Sequence, residues 1–244
     1  MNPRTEALRR RSLDTPPSIS AERALLLTRF YRENDGRWSV PVMRARSFLD
    51  LCEKKTIHLG EGELVVGERG PAPKAVPTFP ELTCHSAPDL RILDSRPKTS
   101  YAVAPDAIGA YEREVIPYWH GRSLRDRLFA TLPPEWHALY EAGLFTEFME
   151  QRAPGHTVLD DKIYRRGLLD FKADIAAVLA ALDYRQDPEA WAKREELLAM
   201  DIACDAVLLF AARHAELARQ AEAAEPDPTR RAELRKIADA CAWV

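Results

Sequence analysis

The fold is decided by residues 188–224, which read PEAWAKREELLAMDIACDAVLLFAARHAELARQAEAA. Apolar side chains recur there every three or four residues, whereas Arg194, Arg213 and Glu216 fall on the opposite side. This spacing predicts one long helix with a buried stripe, because residues three and four apart share a helix face. The predicted stripe consists of Leu197, Leu198, Ile202, Ala206, Leu209 and Phe210.

Two further helices are predicted beside this one, over residues 168–182 and 228–243. Asp187-Pro188 and Asp227-Pro228 are start signals, because an aspartate caps free N–H groups and proline fits the first helical turn. Only 10 of 244 residues are glycine and 46% are hydrophobic, which favours helix and a buried core. The predicted fold class is therefore mainly α, with one or two short strands. Earlier helices are predicted over residues 21–31, 41–55, 105–116, 123–131 and 134–151.

The segments between these helices lack helical periodicity. Residues 1–17 are polar, which predicts a frayed tail ahead of a folded part that spans residues 18–244. Glycines enclose a short apolar run in Gly60–Gly67, a pattern typical of a brief strand entering a turn. Seven prolines between residues 70 and 105 exclude a long helix there and predict an ordered but extended segment. Gly143 weakens the prediction of a continuous helix around it.

Composition and charge exclude several classes of protein. The formal net charge of −3 leaves no basic excess for binding nucleic acid. No window approaches the roughly 20 apolar residues of a membrane span, and the polar amino terminus does not read as a secretory signal, so a cytoplasmic protein is expected. The four cysteines are too far apart for a zinc site or a redox dithiol, and they are expected as free thiols: Cys52, Cys84, Cys204 and Cys241.

A polar stretch after the helix predicted to end near residue 151 contains the strongest candidates for substrate binding. Arg152 carries a rigid fork of donors that suits a carboxylate, sulfonate or phosphate. His156, which follows Pro154-Gly155, titrates near neutral pH and could polarise a hydroxyl group. The alternative interpretation is structural, with Arg152 paired to Glu147 or Asp160.

A second polar cluster lies in the proline-rich segment, where Glu81, Cys84 and His85 are close in sequence. A zinc site is not expected, since one cysteine and one histidine lack a second ligand pair. Adjacent residues of an extended segment point in opposite directions, so Cys84 and His85 are not expected to act together as nucleophile and base. The cluster is interpreted as a packing loop. The nucleotide-binding and hydrolase motifs GxGxxG, GxxxxGK[ST], GxSxG and HExxH are absent from the sequence.

Four stretches together resemble the amino-terminal part of glycyl radical enzymes, the superfamily of pyruvate formate-lyase. They are ELVVGERG at 63–70, PTFPEL at 77–82, FTEFMEQRAPGHT at 145–157 and DDKIYRRGLLDF at 160–171. The long helix around residues 202–217 extends the resemblance over essentially the whole chain. Among family members, the sequence is most similar in style to those that eliminate water, an amine or sulfite from small hydroxylated substrates.

The resemblance implies the helical part that wraps a ten-stranded α/β barrel in the complete enzyme. It assigns substrate contacts to His156, through its Pro-Gly-His turn, and to Arg152 just upstream. It also implies that the chain binds no metal or organic cofactor, and that a separate radical S-adenosylmethionine activase installs the glycyl radical. The Gly-Cys-Val-Glu and Arg-Val-Xaa-Gly-Tyr types of loop that carry the radical chemistry do not occur here. No catalytic residue is therefore expected in this segment.

The function expected from these features is that of an amino-terminal segment of a glycyl radical lyase that cleaves C–O or C–S bonds. Two alternatives stay open: an acyltransferase of the formate acetyltransferase type, and a non-catalytic helical fragment. Because the chain ends on Cys-Ala-Trp-Val without a polar cap, truncation of a pyruvate formate-lyase domain is expected, with a missing carboxy-terminal part as a partner. Without that part, the stripe of the long helix should lack some of its cover.

Overall fold

A computed structural model of the protein describes residues 2–145 and 160–244. Its elements, in chain order, are α1 Pro3–Asp14, β1 Ser18–Ser20, α2 Glu22–Asn34, α3 Val40–Lys54, β2 Ala75–Pro77, α4 Ala87–Ser95, α5 Pro105–Ala110, a π-helical turn Tyr111–Val115, α6 Ile116–Trp119, α7 Leu124–Phe129, α8 Pro134–Glu141, a 3₁₀ turn Asp160–Tyr164, α9 Leu168–Ala180, α10 Ala190–Ala224 and α11 Pro228–Ala242. The prediction of a mainly α fold with one or two short strands is confirmed.

The carboxy-terminal half is organised around α10, which packs against α3, α9 and α11. The predicted long helix is confirmed, and it begins at Ala190. Ala199 is buried with Val42 and Ala45 of α3, and Ala218 is buried against Leu234 of α11. The predicted stripe is only partly covered, as expected. Its members Leu197, Leu198, Ile202, Leu209 and Phe210 are half-buried, whereas Ala206 is fully buried.

The amino-terminal half has its own core between α2, α4 and the helical run of residues 105–119. Leu90 and Val115 are completely buried in it, together with Tyr111 and Trp119. The helical run has a π-helical turn at its centre, where the Ile116 N–H donates to the Tyr111 carbonyl. Pro117 follows at once and has no N–H to donate, which accounts for the local departure from regular α-helix.

The frayed tail predicted for residues 1–17 is wrong, because most of it is α1. Asn2 caps this helix by accepting the Arg4 N–H at 2.8 Å. Few apolar residues hold α1, and ion pairs do so instead: the Arg4 guanidinium donates to Glu233 of α11, and Arg11 pairs with Glu61. A polar helix of this kind gives no apolar periodicity, which is why its sequence resembles a tail.

The strand predicted at Gly60–Gly67 is also wrong, since that segment is irregular. Leu64 and Val65 are exposed there, and only Val66 packs against the α10–α11 cluster. The two observed strands are β1 and β2, which pair in parallel with Ser18 opposite Ala75. Gly70 lies close to this ladder, where a Cβ atom would meet the Ala75 carbonyl oxygen at 1.9 Å.

Prolines and glycines set two other boundaries. In the proline-rich segment, α4 forms because Pro88 lies in its first turn and Ser86 and Asp89 make a reciprocal capping box. The helix predicted over 134–151 ends at Glu141, and Gly143 follows with a φ of +72°. That left-handed conformation favours glycine and terminates a helix. Over the described residues, no helix is long and apolar enough to span a membrane.

Candidate functional site

The two predicted substrate-binding residues, Arg152 and His156, lie outside the described residues, and so does Glu147. The structure does describe the chain up to Phe145 and from Asp160 onward. The described part of the candidate site consists of α7 and α8, which precede this stretch in the chain, and of the Pro77–Leu82 loop, which contacts the start of α7.

The Pro77–Leu82 loop is held in place by Arg23 of α2. The Arg23 guanidinium donates to both carboxylate oxygens of Glu81, with N–O distances of 3.0 and 2.5 Å. It also donates to the Thr78 carbonyl at 3.0 Å and lies 4.0 Å from the centre of the Phe79 ring. Three residues of the loop are thus held by one rigid cation, which suits the planar fork of arginine.

A buried hydrogen bond between two hydroxyl groups also holds this loop. The Tyr111 hydroxyl donates to Thr78 Oγ1, and both residues are at most 3% exposed. Burial raises the pKa of Tyr111 well above its usual range, so that the phenol stays protonated and able to donate. We name Arg23, Thr78, Glu81 and Tyr111 together the loop clamp.

Helix α7 begins directly on the clamped loop. The backbone N–H groups of Leu124 and Arg125 donate to the carbonyls of Glu81 and Leu82, at 2.8 and 3.0 Å. Ser123 caps the helix by accepting the Asp126 N–H at 3.0 Å. The first turn of α7 therefore takes its position from the loop rather than from an apolar face.

Arg125 connects α7 to α8 through aromatic rings. Its guanidinium lies 4.3 Å from the Phe129 ring centre and 5.3 Å from that of Tyr140, and donates to the Tyr140 hydroxyl at 3.1 Å. The Phe145 ring centre lies 5.7 Å from that of Tyr140 and 5.4 Å from that of Trp136. This aromatic cluster ends at the residue directly before the stretch that contains Arg152 and His156.

In the Glu81, Cys84 and His85 cluster, the described contacts of Glu81 and Cys84 are structural. Glu81 is bound by Arg23, and Cys84 Sγ lies 3.8 Å from the His85 carbonyl oxygen. Burial, with a smaller effect from the charge of Asp126, raises the pKa of Cys84 to about 11, so its thiol is not a nucleophilic thiolate at neutral pH. The described parts of the chain contain no group of three or more histidine, cysteine or acidic residues placed to hold a metal ion.

A cavity of about 340 Å³ lies behind the loop, between α2, α3 and α10. Phe48, Phe79 and Phe210 are among its mainly apolar walls. Lys55 lines it with its Nζ donating to the carbonyls of Glu68 and Arg69, both at 2.9 Å. Burial lowers the pKa of Lys55. No local pattern of the sequence indicates this cavity, because its walls come from five separate stretches of the chain: residues 20–23, 48–55, 67–71, 77–79 and 207–210.

Comparison with known proteins identifies the family. The Pyruvate formate lyase-like family model matches residues 1–244. The chain is 45% identical over 238 residues to the trans-4-hydroxy-L-proline dehydratase of Clostridioides difficile, a match that covers 98% of this chain and 30% of the relative. It is 31% identical to the isethionate sulfite-lyase of Nitratidesulfovibrio vulgaris, over 95% of this chain and 29% of that relative.

The solved structures agree with the family model. A crystal structure of the Clostridioides difficile hydroxyproline dehydratase, with trans-4-hydroxy-L-proline bound, superposes with a TM-score of 0.91 at 43% identity, over 99% of this chain and 30% of that one. The glycerol dehydratase of Clostridium butyricum, at 22% identity, shares the fold with a TM-score of 0.90. The chain spans about 30% of the length of these relatives. It belongs to the pyruvate formate-lyase-like family of glycyl radical enzymes and corresponds to an amino-terminal part of them.

Proposed function

We propose that this chain is the amino-terminal, substrate-binding segment of a glycyl radical lyase that eliminates water or sulfite from a small hydroxylated substrate. The observation that carries the proposal is the similarity over nearly the whole chain to relatives named as a hydroxyproline dehydratase and isethionate sulfite-lyases. Both reactions remove a leaving group from carbon, by C–O or C–S cleavage. The higher identity, 45% against 31%, makes trans-4-hydroxy-L-proline the first substrate to test.

Arg152 and His156 have the chemistry that such a substrate needs. trans-4-Hydroxy-L-proline carries a carboxylate, which a guanidinium binds with two parallel hydrogen bonds. It also carries the hydroxyl group that leaves as water, and a histidine side chain can hydrogen-bond and polarise that group. We assign carboxylate binding to Arg152 and hydroxyl binding to His156.

The radical chemistry is assigned to residues beyond this chain. None of its cysteines is followed by Val-Glu, and no glycine lies in the sequence context of the family's radical loop. We propose that a radical S-adenosylmethionine activase installs the glycyl radical in the carboxy-terminal part of the enzyme. The amino-terminal segment then binds substrate without a cofactor of its own.

A chimeric enzyme tests the proposal. This chain replaces the matching 30% of the Clostridioides difficile dehydratase, and the chimera is activated anaerobically. The expected result is a glycyl radical signal in electron paramagnetic resonance together with dehydration of trans-4-hydroxy-L-proline. Isethionate and pyruvate serve as competing substrates. Turnover of isethionate alone would contradict the assignment of trans-4-hydroxy-L-proline as the substrate and favour a sulfite-lyase. Turnover of pyruvate would favour the acyltransferase alternative. A radical without turnover of any of the three compounds would favour a non-catalytic segment.

Matched variants test the two residues. Arg152→Ala and His156→Ala should each raise KM or lower kcat at least tenfold, as expected when a charged hydrogen bond to substrate is lost. The exposed residues Arg185 and His120 provide controls of the same type, because no described hydrogen bond involves their side chains. Arg185→Ala and His120→Ala should leave both constants within twofold. Equal effects in both pairs would overturn the assignment of the site.

A further inference from the structure

We infer that the cavity between α2, α3 and α10 is a binding site for a small organic acid, a carboxylate that carries an apolar body. The inference does not rest on the proposed function, because none of the residues it uses is a proposed substrate contact. The cavity volume of about 340 Å³ lies within the usual range of small-molecule sites, about 300–1,000 Å³.

The walls of the cavity leave several apolar side chains in contact with solvent. Phe48 of α3, Phe79 of the Pro77–Leu82 loop and Val207 of α10 all line it, and they are 42%, 38% and 38% exposed. Large apolar side chains exposed one at a time are common on protein surfaces, whereas several around one concavity are typical of a ligand site. An aromatic or aliphatic group bound in the cavity would cover all three.

Two cations that line the cavity have no carboxylate partner among the described residues. Lys55 Nζ donates to the carbonyls of Glu68 and Arg69, both at 2.9 Å, and an ammonium group has a third hydrogen to donate. The exposed Arg69 side chain makes no hydrogen bond or ion pair with any described residue. Ammonium and guanidinium groups form their strongest hydrogen bonds with carboxylate oxygens. The two side chains can therefore hold the acid group of a ligand.

The other two charged side chains that line the cavity are already engaged. The Glu22 carboxylate accepts the backbone N–H of Thr56 at 2.9 Å and the Thr56 hydroxyl at 2.5 Å. Arg23 is paired with Glu81. Neither residue therefore neutralises the cations of the preceding paragraph by a direct ion pair.

The charge around the cavity favours an anion. Apart from the neutral Arg23–Glu81 pair, the cations are Lys55, Arg69 and Arg213, and the carboxylates that line the cavity or act on Lys55 by their charge are Glu22 and Glu68. Arg213 donates to two backbone carbonyls, at 2.5 and 2.9 Å, and not to a carboxylate. Three cations against two carboxylates leave an excess of one positive charge, which matches one carboxylate on the ligand.

The first experiment titrates the 244-residue chain with 4-phenylbutyrate by isothermal titration calorimetry. The neutral compound 4-phenyl-1-butanol has the same ring and chain and provides the matched control. The acid should bind with a Kd on the order of 0.1 mM, as expected for a ligand of its size. The alcohol should bind about tenfold more weakly, because it lacks the charge-assisted hydrogen bonds. No binding of the acid, or equal binding of the two compounds, would overturn the inference.

Matched variants separate the two parts of the site. Arg69→Gln should weaken binding of the acid about tenfold and leave binding of the alcohol within twofold, whereas Arg185→Gln, at an exposed position outside the cavity, should change neither. Val207→Phe fills the cavity and should abolish binding of both compounds. Met200→Phe, at a 54% exposed position of the same helix outside the cavity, should have no effect. Equal affinities of Arg69→Gln and Arg185→Gln for the acid, or native affinity in Val207→Phe, would contradict the site.

The role of Lys55 has a readout in pH. Burial lowers the pKa of Lys55 below 10.5, and a bound carboxylate favours the charged amine. The affinity for 4-phenylbutyrate should therefore fall as the pH rises toward 10.5, while that for 4-phenyl-1-butanol stays constant. An acid affinity that does not fall would exclude Lys55 from the site.

The carboxy-terminal part of the complete enzyme is the alternative occupant of the cavity. The chimeric enzyme should bind 4-phenylbutyrate with a Kd within threefold of that of the 244-residue chain, and Val207→Phe should abolish this binding as well. Binding by the 244-residue chain but not by the chimera would show that the rest of the enzyme covers the cavity, and would overturn the inference.

Discussion

The buried hydrogen bond between Tyr111 and Thr78 provides the sharpest test of the loop clamp. Tyr111→Phe keeps the ring and removes the hydroxyl, which leaves Thr78 Oγ1 without its donor. Thr78→Val keeps the side-chain shape and leaves the Tyr111 hydroxyl buried without its acceptor. A buried polar group that loses its partner costs about 1–3 kcal/mol, so each single variant should lose about that much stability.

The double variant Tyr111→Phe/Thr78→Val should be more stable than the sum of the two losses. Replacing both partners by apolar groups leaves no buried group unpaired, which is close to neutral. The expected coupling free energy is therefore about 1–2 kcal/mol. In urea unfolding, each single variant should lower the midpoint by roughly 0.5 M at an unchanged slope.

The pH dependence gives an independent check on this pair. Burial raises the pKa of Tyr111 in the folded protein above the usual value of 10. The native chain should therefore lose stability as the pH rises above 10, where the unfolded state releases the phenol proton first. Tyr111→Phe should lose less over the same range. Additive losses in the double variant would refute the buried hydrogen bond, and the same alkaline loss in Tyr111→Phe would refute the burial of the Tyr111 phenol.

Three further predictions concern other parts of the chain. Asp227→Ala removes the cap of α11, where Asp227 accepts the N–H groups of Thr229 and Arg230, and should cost about 1 kcal/mol in urea unfolding. Leu90→Ala leaves a cavity in the amino-terminal core and should cost about 2–5 kcal/mol, with a lower melting temperature by calorimetry. Burial, with smaller effects of Lys55, Arg213 and His58, lowers the pKa of His214 below 6.5, so the native chain should lose stability as the pH falls below 6.5. His214→Gln should flatten that slope, which is at most about 1.4 kcal/mol per pH unit for one proton; an unchanged slope would show that other groups cause it.

The periodicity of apolar residues was sufficient to predict most helices, because it depends only on residues close together in the sequence. The stripe of α10 repeats within each turn, and Asp227-Pro228 marks the start of α11 through contacts only two and three residues away. The seven prolines between residues 70 and 105 did not exclude every helix from that segment. Pro88 begins α4 rather than breaking it, because a proline in the first helical turn removes no hydrogen bond.

Prediction of the candidate site from sequence was limited in a different way. Arg152 and His156 were selected by residue type and by resemblance, and they stay predictions because they lie outside the described residues. Arg23 and Arg125, by contrast, gave no local signal. Each sits in a helix among other charged residues, and only the contacts with Glu81 and Tyr140 distinguish them.

The helical class, the long α10, the cap of α11 and the family resemblance could all be predicted from the amino-acid sequence. The family model confirms the resemblance over residues 1–244. Three features could be recognised only in the folded chain: β1 pairs with β2, α1 docks on α11, and the loop clamp holds the start of α7. These two groups of features differ in the sequence separation of the residues that interact. Helical periodicity and capping act within one turn, whereas Arg23 meets Glu81 across 58 residues and Arg4 meets Glu233 across 229, through chain folding that no local pattern records.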